Sequence, residues 1–313
     1  MLKYLIIPLD STSVSFCHYE SKKNGMNPIP LEMLKEGIIF GMKNNLQIQF
    51  IYPDYSISKE YSQIIESIDH VKIKPFSQRE NADVIVVQDW KNIESIKEPC
   101  QIVIKTDKGQ LFDNYKKIIQ LIERDIKVNI TINDIERFSP SDFNKYKTIL
   151  DYFFKEFKRF IIERKMPQLN ILTDRIILEE MNNCGAGDTS ITLMPNGKFY
   201  ICPAFYYETQ ENHVGSLKDG LNIHNGYLYK LQYAPICRHC EAYQCNRCIW
   251  LNHKTTLEVN TPSHEQCVIS HIERNASMEL AKWIKATLPT VKGIVEIPQI
   301  DYLDPITRHK EWQ

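Results

Sequence analysis

Short apolar runs alternate with amphipathic stretches through the first half of the chain. Apolar runs of four to eight residues between polar or turn-forming residues are typical of buried β-strands, and apolar residues at helical spacing are typical of helices. Regular alternation of the two favours an α/β fold with a mostly parallel sheet. The predicted strands cover residues 4–9, 47–52, 71–74, 84–88, 101–105, 127–132 and 169–172.

Three stretches between these strands have the spacing of amphipathic helices. They cover residues 31–42, 111–122 and 139–165, and the last begins with Ser139-Pro140, a favourable helix start. The succession of strand–helix units predicts a partial or complete β/α barrel. In such a barrel the functional loops follow the carboxyl ends of the strands.

The character of the chain changes after residue 178. Glycine, asparagine and cysteine become frequent, and clear helical periodicity returns only over residues 277–287. The sequence therefore predicts a β/α domain over residues 1–178 and a small cysteine-rich α+β domain over 179–287. An extended tail over 288–313 follows. Bound ligands, rather than a large apolar core, are expected to stabilise the cysteine-rich domain.

Composition indicates an ordinary globular protein. Of the 313 residues, 43% are hydrophobic and 25% are charged, and the net charge is −1. That balance gives no indication of a nucleic-acid partner or an anionic membrane surface. No apolar run is long enough to span a membrane, and the first residues do not form a signal peptide. We therefore expect a cytoplasmic protein with reduced thiols, which disfavours a disulfide framework.

Seven of the nine cysteines are concentrated in the C-terminal part of the chain, and two C-x2-C pairs lie four residues apart. A C-x2-C pair places two thiolates on one turn, and soft sulfur ligands select zinc or iron–sulfur clusters. The pattern predicts a metal site without deciding which metal it holds. The seven are Cys184, Cys202, Cys237, Cys240, Cys245, Cys248 and Cys267.

The order of these cysteines resembles the SPASM domain of radical SAM peptide-modifying enzymes. Cys184-x12-Gly197-x4-Cys202 fits the first part of that family's motif, with Pro195-Asn196-Gly197 predicted as a hairpin turn, and Cys267 fits the last cysteine. The family's middle part is C-x2-C-x5-C-x3-C. The chain has Cys237-x2-Cys240-x4-Cys245-x2-Cys248 instead, one residue shorter in each of two gaps.

The N-terminal half resembles the radical SAM core in layout but departs from its motifs. That core holds its S-adenosylmethionine-cleaving cluster with C-x3-C-x-aromatic-C after the first strand. Here Phe16-Cys17 matches the end of the motif, while the other two ligand positions fall on Asp10 and Val14. The family's Gly-Gly-Glu after the second strand is replaced by Tyr52-Pro53-Asp54. The chain thus resembles a degenerate radical SAM protein, for which S-adenosylmethionine is not an expected cofactor.

Among such proteins the chain is similar to the CXXX repeat peptide maturase group. The similarity lies in Phe16-Cys17-His18-Tyr19 and in the segment that begins at Pro30. The resemblance implies a role in maturing a ribosomally made precursor peptide with spaced cysteines. It also implies a further modification-system protein as a possible partner.

The same resemblance divides the cysteines into ligands for two [4Fe–4S] clusters. Cluster I would be held by Cys184, Cys202 and Cys248, and cluster II by Cys237, Cys240, Cys245 and Cys267. Some family members have an additional cysteine where this chain has Ser190. Cluster I would therefore have either an open iron or a non-cysteine ligand such as a hydroxyl, carboxylate or imidazole. Our hypothesis is that this iron binds a cysteine of the client peptide.

Several alternatives stay open on the sequence alone. Two C-x2-C pairs are also the ligands of a structural zinc site, which would make the protein a non-enzymatic adaptor that presents the peptide. The cysteines could also bind no metal. Cys17, with Asp10 and His18, is a weak candidate for catalysis at the barrel mouth, and a relic of the lost motif is the alternative. An active radical SAM enzyme is a third functional class, disfavoured by Val14.

Overall fold

A computed structural model describes residues 1–22 and 25–298, and over these residues the chain has an α/β fold with mostly parallel strands. In chain order the elements are β1 Tyr4–Pro8, α1 Leu31–Lys43, β2 Gln47–Ile51, α2 Lys59–Ile65, β3 His70–Pro75, β4 Val84–Val87, β5 Gln101–Thr106, α3 Lys108–Asn114, α4 Lys116–Ile122, β6 Lys127–Ile132, α5 Pro140–Ile162, α6 Asn170–Ile177, β7 Ser190–Leu193, β8 Phe199–Tyr200, α7 Pro203–Glu208, β9 Gly215–Ser216, β10 Gly220–Leu221, α8 Ile249–Thr256 and α9 His264–Thr287. The first six predicted strands are confirmed as β1 to β6.

The chain forms two compact units. The first comprises Met1–Val87 and Gly185–Ala234, and the second comprises Gln88–Cys184 and the described residues from Pro235 onward. Neither unit contains a closed barrel over the described ranges. The boundaries near residues 178 and 287 stay a prediction, and most of the predicted tail lies outside the described residues.

In the first unit six strands follow the order β4-β3-β2-β1-β7-β8, in which only the β7–β8 pair is antiparallel, and β9 and β10 form a separate antiparallel pair. Helix α1 lies close against them, since a methyl group added at Gly41 would lie 2.8 Å from Ile48 Cδ1. The carboxyl end of β1 leads directly into the loop that carries Asp10 and Cys17. This end of a parallel strand is where functional loops occur in folds of this class.

The predicted hairpin turn is confirmed between β7 and β8. The Gly197 amide donates to the Met194 carbonyl at 2.9 Å, and Gly197 has a φ of +74°, a left-handed conformation that favours glycine. Strand β7 also pairs in parallel with β1. Leu193 and Phe199 are fully buried, so apolar packing stabilises this part of the cysteine-rich segment as well. This differs from the expectation that bound ligands, rather than a large apolar core, stabilise the cysteine-rich domain, and stabilisation by ligands stays a prediction.

In the second unit β5 pairs in parallel with β6, and the long helix α5 begins as predicted. The Ser139 side chain and the Asp142 carboxylate form a reciprocal capping box at its first turn. The apolar stripe over residues 111–122 forms two helices, α3 and α4, rather than one, with the junction at Tyr115. No helix of the described residues is long and apolar enough to cross a membrane.

The predicted strand over residues 169–172 is wrong, because the chain turns there into helix α6. Leu169 forms a single parallel bridge with Val128. The side chain of Asn170 then accepts a hydrogen bond from the Ile130 amide at 2.9 Å and donates one to the Ile130 carbonyl at 3.1 Å. A side-chain amide therefore takes the place of the next backbone pair, which frees the following residues to form a helix.

Helix α9 begins at His264, thirteen residues before the periodic segment that the sequence predicts. Its first half buries polar side chains where a core-facing helix normally presents apolar ones. Because these buried residues are polar, the hydrophobicity pattern does not show the helical periodicity of this segment. They are Gln266, Ser270, His271, Glu273 and Arg274.

Candidate metal centre and the loop after the first strand

Four of the seven C-terminal cysteines line one small cavity in the second unit. They are Cys237, Cys240, Cys245 and Cys267, the set that the sequence assigns to cluster II. The cavity has a volume of about 20 Å³, enough for a water molecule or a single ion. The structure therefore brings together residues that lie up to thirty positions apart in the sequence.

One sulfur of each C-x2-C pair accepts a hydrogen bond from a backbone amide. The Cys240 Sγ accepts a hydrogen bond from the Ala242 amide at 3.4 Å, and the Cys245 Sγ accepts one from the Arg247 amide at 3.4 Å. In both cases the donor lies two residues after the cysteine. Backbone N–H groups directed at sulfur favour the thiolate, which is the form that binds metals.

Burial opposes that ionisation when no cation is bound. It raises the pKa of Cys237 to about 12 and that of Cys240 to about 11, with smaller contributions from neighbouring thiolates. At neutral pH these groups are therefore thiols unless a metal displaces their protons. Loading of this centre is expected to release protons.

The residues around the cavity fit a thiolate-bound group, although the cage is not preformed. Over the described residues, no group of three or more histidine, cysteine, aspartate or glutamate side chains has the geometry to hold a metal ion. Gln266 lines the same cavity, and its buried Oε1 has no hydrogen-bond partner among the described residues. Binding of a zinc ion or of a cluster therefore requires the cysteine side chains to reorient.

His271 is a residue of this site that the sequence did not single out. Its Nε2 lies 3.4 Å from the Cys240 Sγ, and its ring is buried on α9 one turn after Cys267. A ring N–H at this distance can donate to a thiolate. No motif marks His271 in the sequence, since it lies outside the cysteine spacing.

The proposed ligands of cluster I are divided between the two units. Cys184 and Cys248 belong to the second unit, where they interact electrostatically, and burial raises the pKa of Cys248 to about 12. The Cys248 Sγ also caps helix α8 by accepting from the Leu251 amide at 3.5 Å. Cys202 belongs to the first unit and precedes α7. A shared cluster on these three cysteines stays a prediction.

In the loop after β1, the carboxylate of Asp10 is enclosed by its own hydrogen bonds. It accepts from the Thr12 amide at 2.7 Å, the Thr12 hydroxyl at 2.6 Å, the Asn27 amide at 2.8 Å and the Tyr55 hydroxyl at 2.8 Å. Asp10 is fully buried. The carboxylate that the resemblance aligns with the first radical SAM cysteine thus orders this loop by hydrogen bonds.

The second missing ligand position is also part of this packed loop. Val14 is buried, and its amide donates to the Tyr52 carbonyl at 2.9 Å. The adjacent Ser13 hydroxyl donates to the Ile51 carbonyl at 2.8 Å. The loop is therefore tied to the end of β2, with an apolar side chain where a cluster ligand would have to be.

The third position, Cys17, is half-buried in an aromatic environment. The nearby Tyr19 ring is buried and stacks on Tyr207, with 5.7 Å between the ring centroids. Burial raises the pKa of Tyr19 well above its usual value, and electrostatic interactions with Tyr207, Cys17 and Cys202 add to the effect. A catalytic role for Cys17, Asp10 or His18 stays a prediction.

A buried polar network beside the cysteine cavity predicts a pH-dependent stability. The Tyr146 hydroxyl donates to Glu273 Oε1 at 2.6 Å, and Gln244 Nε2 donates to Glu273 Oε2 at 3.3 Å. Burial outweighs both hydrogen bonds and raises the pKa of Glu273 from 4.5 to about 7. The folded chain thus binds more protons than the unfolded chain between these two values. The resulting stabilisation is complete below pH 4.5 and is lost as the pH rises through 7.

We expect the free energy of unfolding to lose about 3 kcal/mol over this interval through Glu273. The Glu273→Gln variant cannot ionise there, so its stability should change less with pH. Urea unfolding of both proteins at the two ends of the interval measures the difference. Equal pH dependence in the two proteins would show that Glu273 does not titrate in this way.

No family model matches the chain, and no curated protein sequence matches it. Several solved structures resemble it, among them the following two. The structure of hexahistidine-tagged anSMEcpe with bound AdoMet matches 90% of this chain and 98% of its own, with a TM-score of 0.59 and 11% identity. Streptococcus suis SuiB bound to precursor peptide SuiA matches 66% of this chain and 60% of its own, with a TM-score of 0.39 and 12% identity. The first likeness shows that the chain has a radical SAM-like fold, as predicted.

Proposed function

We propose that this chain is a degenerate radical SAM protein that takes part in maturing a cysteine-containing precursor peptide. In this proposal it does not cleave S-adenosylmethionine, and it carries two auxiliary [4Fe–4S] clusters on its C-terminal cysteines. The contrast between its two candidate sites carries the proposal. Four cysteines share one cavity, whereas the loop that would hold the S-adenosylmethionine-cleaving cluster is closed around Asp10.

The chain's own residues support separate roles for these sites. When bound, a [4Fe–4S] cluster supplies one-electron transfer or an iron that can accept a thiolate. Cys237, Cys240, Cys245 and Cys267 would hold cluster II with four thiolates, leaving it suited to electron relay. Cys184, Cys202 and Cys248 would hold cluster I. Cys184 is exposed, so this part of the site is accessible to a peptide.

The client peptide is expected to bind through a cysteine at cluster I. Adding a peptide with spaced cysteines to the anaerobically reconstituted protein should change the visible and electron paramagnetic resonance spectra. The same peptide with serines in place of cysteines should not. The Ser190→Cys variant provides a matched control, because the resemblance implies that a cysteine there would fill the fourth position. Identical spectral changes with both peptides would contradict peptide binding through its thiol.

The alternative is a zinc-binding adaptor that presents the peptide to a partner enzyme. The observation that favours it is the small size of the four-cysteine cavity, which suits an ion better than a cluster. Four thiolates satisfy a structural zinc ion completely. The two proposals differ in metal content, since only the first requires iron together with acid-labile sulfide.

A further inference from the structure

One side of helix α9 lines the four-cysteine cavity with polar side chains. Gln266 and Ser270 are four residues apart, as are Cys267 and His271, and all four line the cavity. All four are buried, and His271 is only 1% exposed. The core-facing side of a helix normally carries apolar residues, because burial of a polar group is costly unless it forms hydrogen bonds. Such a face is therefore expected only where its polar groups have partners.

The partner of His271 in this cavity is the Cys240 sulfur. The Nε2 atom of the ring lies 3.4 Å from Cys240 Sγ, within reach of a hydrogen bond to sulfur, and both side chains line the cavity. The two residues are thirty-one positions apart in the sequence, so the contact joins the first C-x2-C turn to α9. A thiolate can only accept a hydrogen bond. Once a bound metal has displaced the proton of Cys240, the shared hydrogen therefore belongs to Nε2.

The Cys240 sulfur is contacted from two elements. The Ala242 amide donates to it at 3.4 Å from within its own turn, and His271 contacts it from α9. From the same face of α9, the Ser270 hydroxyl forms a hydrogen bond with the Cys245 sulfur. Helix α9 thus supplies a side-chain hydrogen-bonding group to one sulfur of each C-x2-C pair.

We propose that His271 is a positioning residue of the four-thiolate centre, whose ring N–H orients the Cys240 sulfur and favours the reduced state of the centre. The inference rests on the proposed function, in which this centre is a [4Fe–4S] cluster. Hydrogen bonds to the sulfurs are among the factors that set the potential of such clusters. One-electron reduction makes the sulfurs more negative, so a donor at Cys240 stabilises the reduced state more than the oxidised one. No bond is formed or broken, and a low-potential one-electron donor, dithionite in the test, supplies the electron.

The test is a redox titration of the reconstituted protein, followed by electron paramagnetic resonance. The signal of the four-thiolate centre is the one that Cys245→Ser lacks. At a fixed potential, His271→Leu should lower the ratio of reduced to oxidised cluster about fivefold, which equals a shift of about 40 mV for one electron. His271→Gln keeps a side-chain N–H and should restore most of the wild-type potential. His239→Leu is the matched control and should change nothing, because His239 directly precedes Cys240 but is exposed.

A second readout detects the hydrogen bond itself. In pulsed electron paramagnetic resonance of the reduced protein, with histidine carrying a heavy nitrogen isotope, the wild type should show a weak nitrogen coupling that His271→Leu lacks. A histidine that only packs against the cavity wall would give no such coupling. A strong nitrogen coupling would show His271 bound directly to iron and would overturn the hydrogen bond.

Iron content separates positioning from packing. Loss of iron in His271→Leu that His271→Gln restores supports the positioning role, whereas equal loss in both variants would overturn it. An unchanged potential in His271→Leu with full iron content would also overturn the proposal, as would an equal shift in the His239→Leu control. Zinc without iron in the wild type would instead overturn the proposed function, and this inference with it.

Discussion

Replacing Cys245 by serine is expected to remove about half of the iron and sulfide bound to the chain, because one of two four-iron clusters loses a ligand. In the sequence, Cys245 lies between the other proposed ligands of cluster II. It interacts electrostatically with Cys237, Cys240 and Cys248, and its Sγ accepts a backbone hydrogen bond from Arg247. Serine is nearly isosteric, but its hydroxyl is a poor ligand for iron beside three thiolates.

Cys100→Ser is the matched control for this experiment. Cys100 is half-buried, immediately before β5, and does not line the four-cysteine cavity. Iron and sulfide are counted in both variants after anaerobic reconstitution, together with the visible absorbance of the clusters. Full iron content in Cys245→Ser would contradict the ligand assignment, and so would an equal loss in Cys100→Ser.

Replacing Asp10 by alanine is expected to lower the free energy of unfolding by about 3 kcal/mol. The substitution leaves the Thr12 amide, the Thr12 hydroxyl and the Tyr55 hydroxyl without their acceptor in a partly buried loop. The exposed Asn27 amide can be hydrated and contributes less. The sequence resemblance places Asp10 at a cluster-ligand position of radical SAM proteins, so the measurement tests the proposal that this residue is structural in this chain.

Tyr55→Phe removes only one of these hydrogen bonds and should cost about 1 kcal/mol. Urea unfolding of the two variants and the wild type measures both values. A stability of Asp10→Ala equal to that of the wild type would show that the loop does not depend on the carboxylate. The hydrogen bonds of Asp10 would then no longer support the proposal that this loop holds no cluster.

Much of the fold is predictable from the sequence because its strands are short, apolar and buried. β1 to β6 stand out for this reason, and the Ser139 cap places the start of α5. Gly197 identifies the β7–β8 turn, since its left-handed backbone conformation favours glycine. These features depend only on neighbouring residues.

The errors occur where side chains replace backbone or apolar contacts. Asn170 ends a strand pairing with its side-chain amide, which a hydrophobic run cannot reveal. The first half of α9 buries Glu273 and Arg274, so its buried face does not look apolar. Both cases depend on partners that are distant in the sequence.

The candidate site was also predictable only where it depends on residues that are close in the sequence. The spacing of Cys237, Cys240 and Cys245 predicts their proximity, because each C-x2-C pair forms one turn. Arg247 and His271 could not be placed at this cavity in the same way, since their positions depend on burial and on the approach of α9. Spacing thus predicts which cysteines lie together, whereas the other residues around them are found only in three dimensions.

The iron, sulfide and zinc content of the anaerobically isolated wild-type chain tests the central claim most directly. It is also the baseline for the Cys245 experiment. Two clusters on the C-terminal cysteines and none in the Asp10 loop predict about eight iron atoms and eight sulfides per chain. About twelve of each would indicate a third cluster and contradict the closed loop. Zinc without sulfide would contradict the iron–sulfur assignment and favour the adaptor.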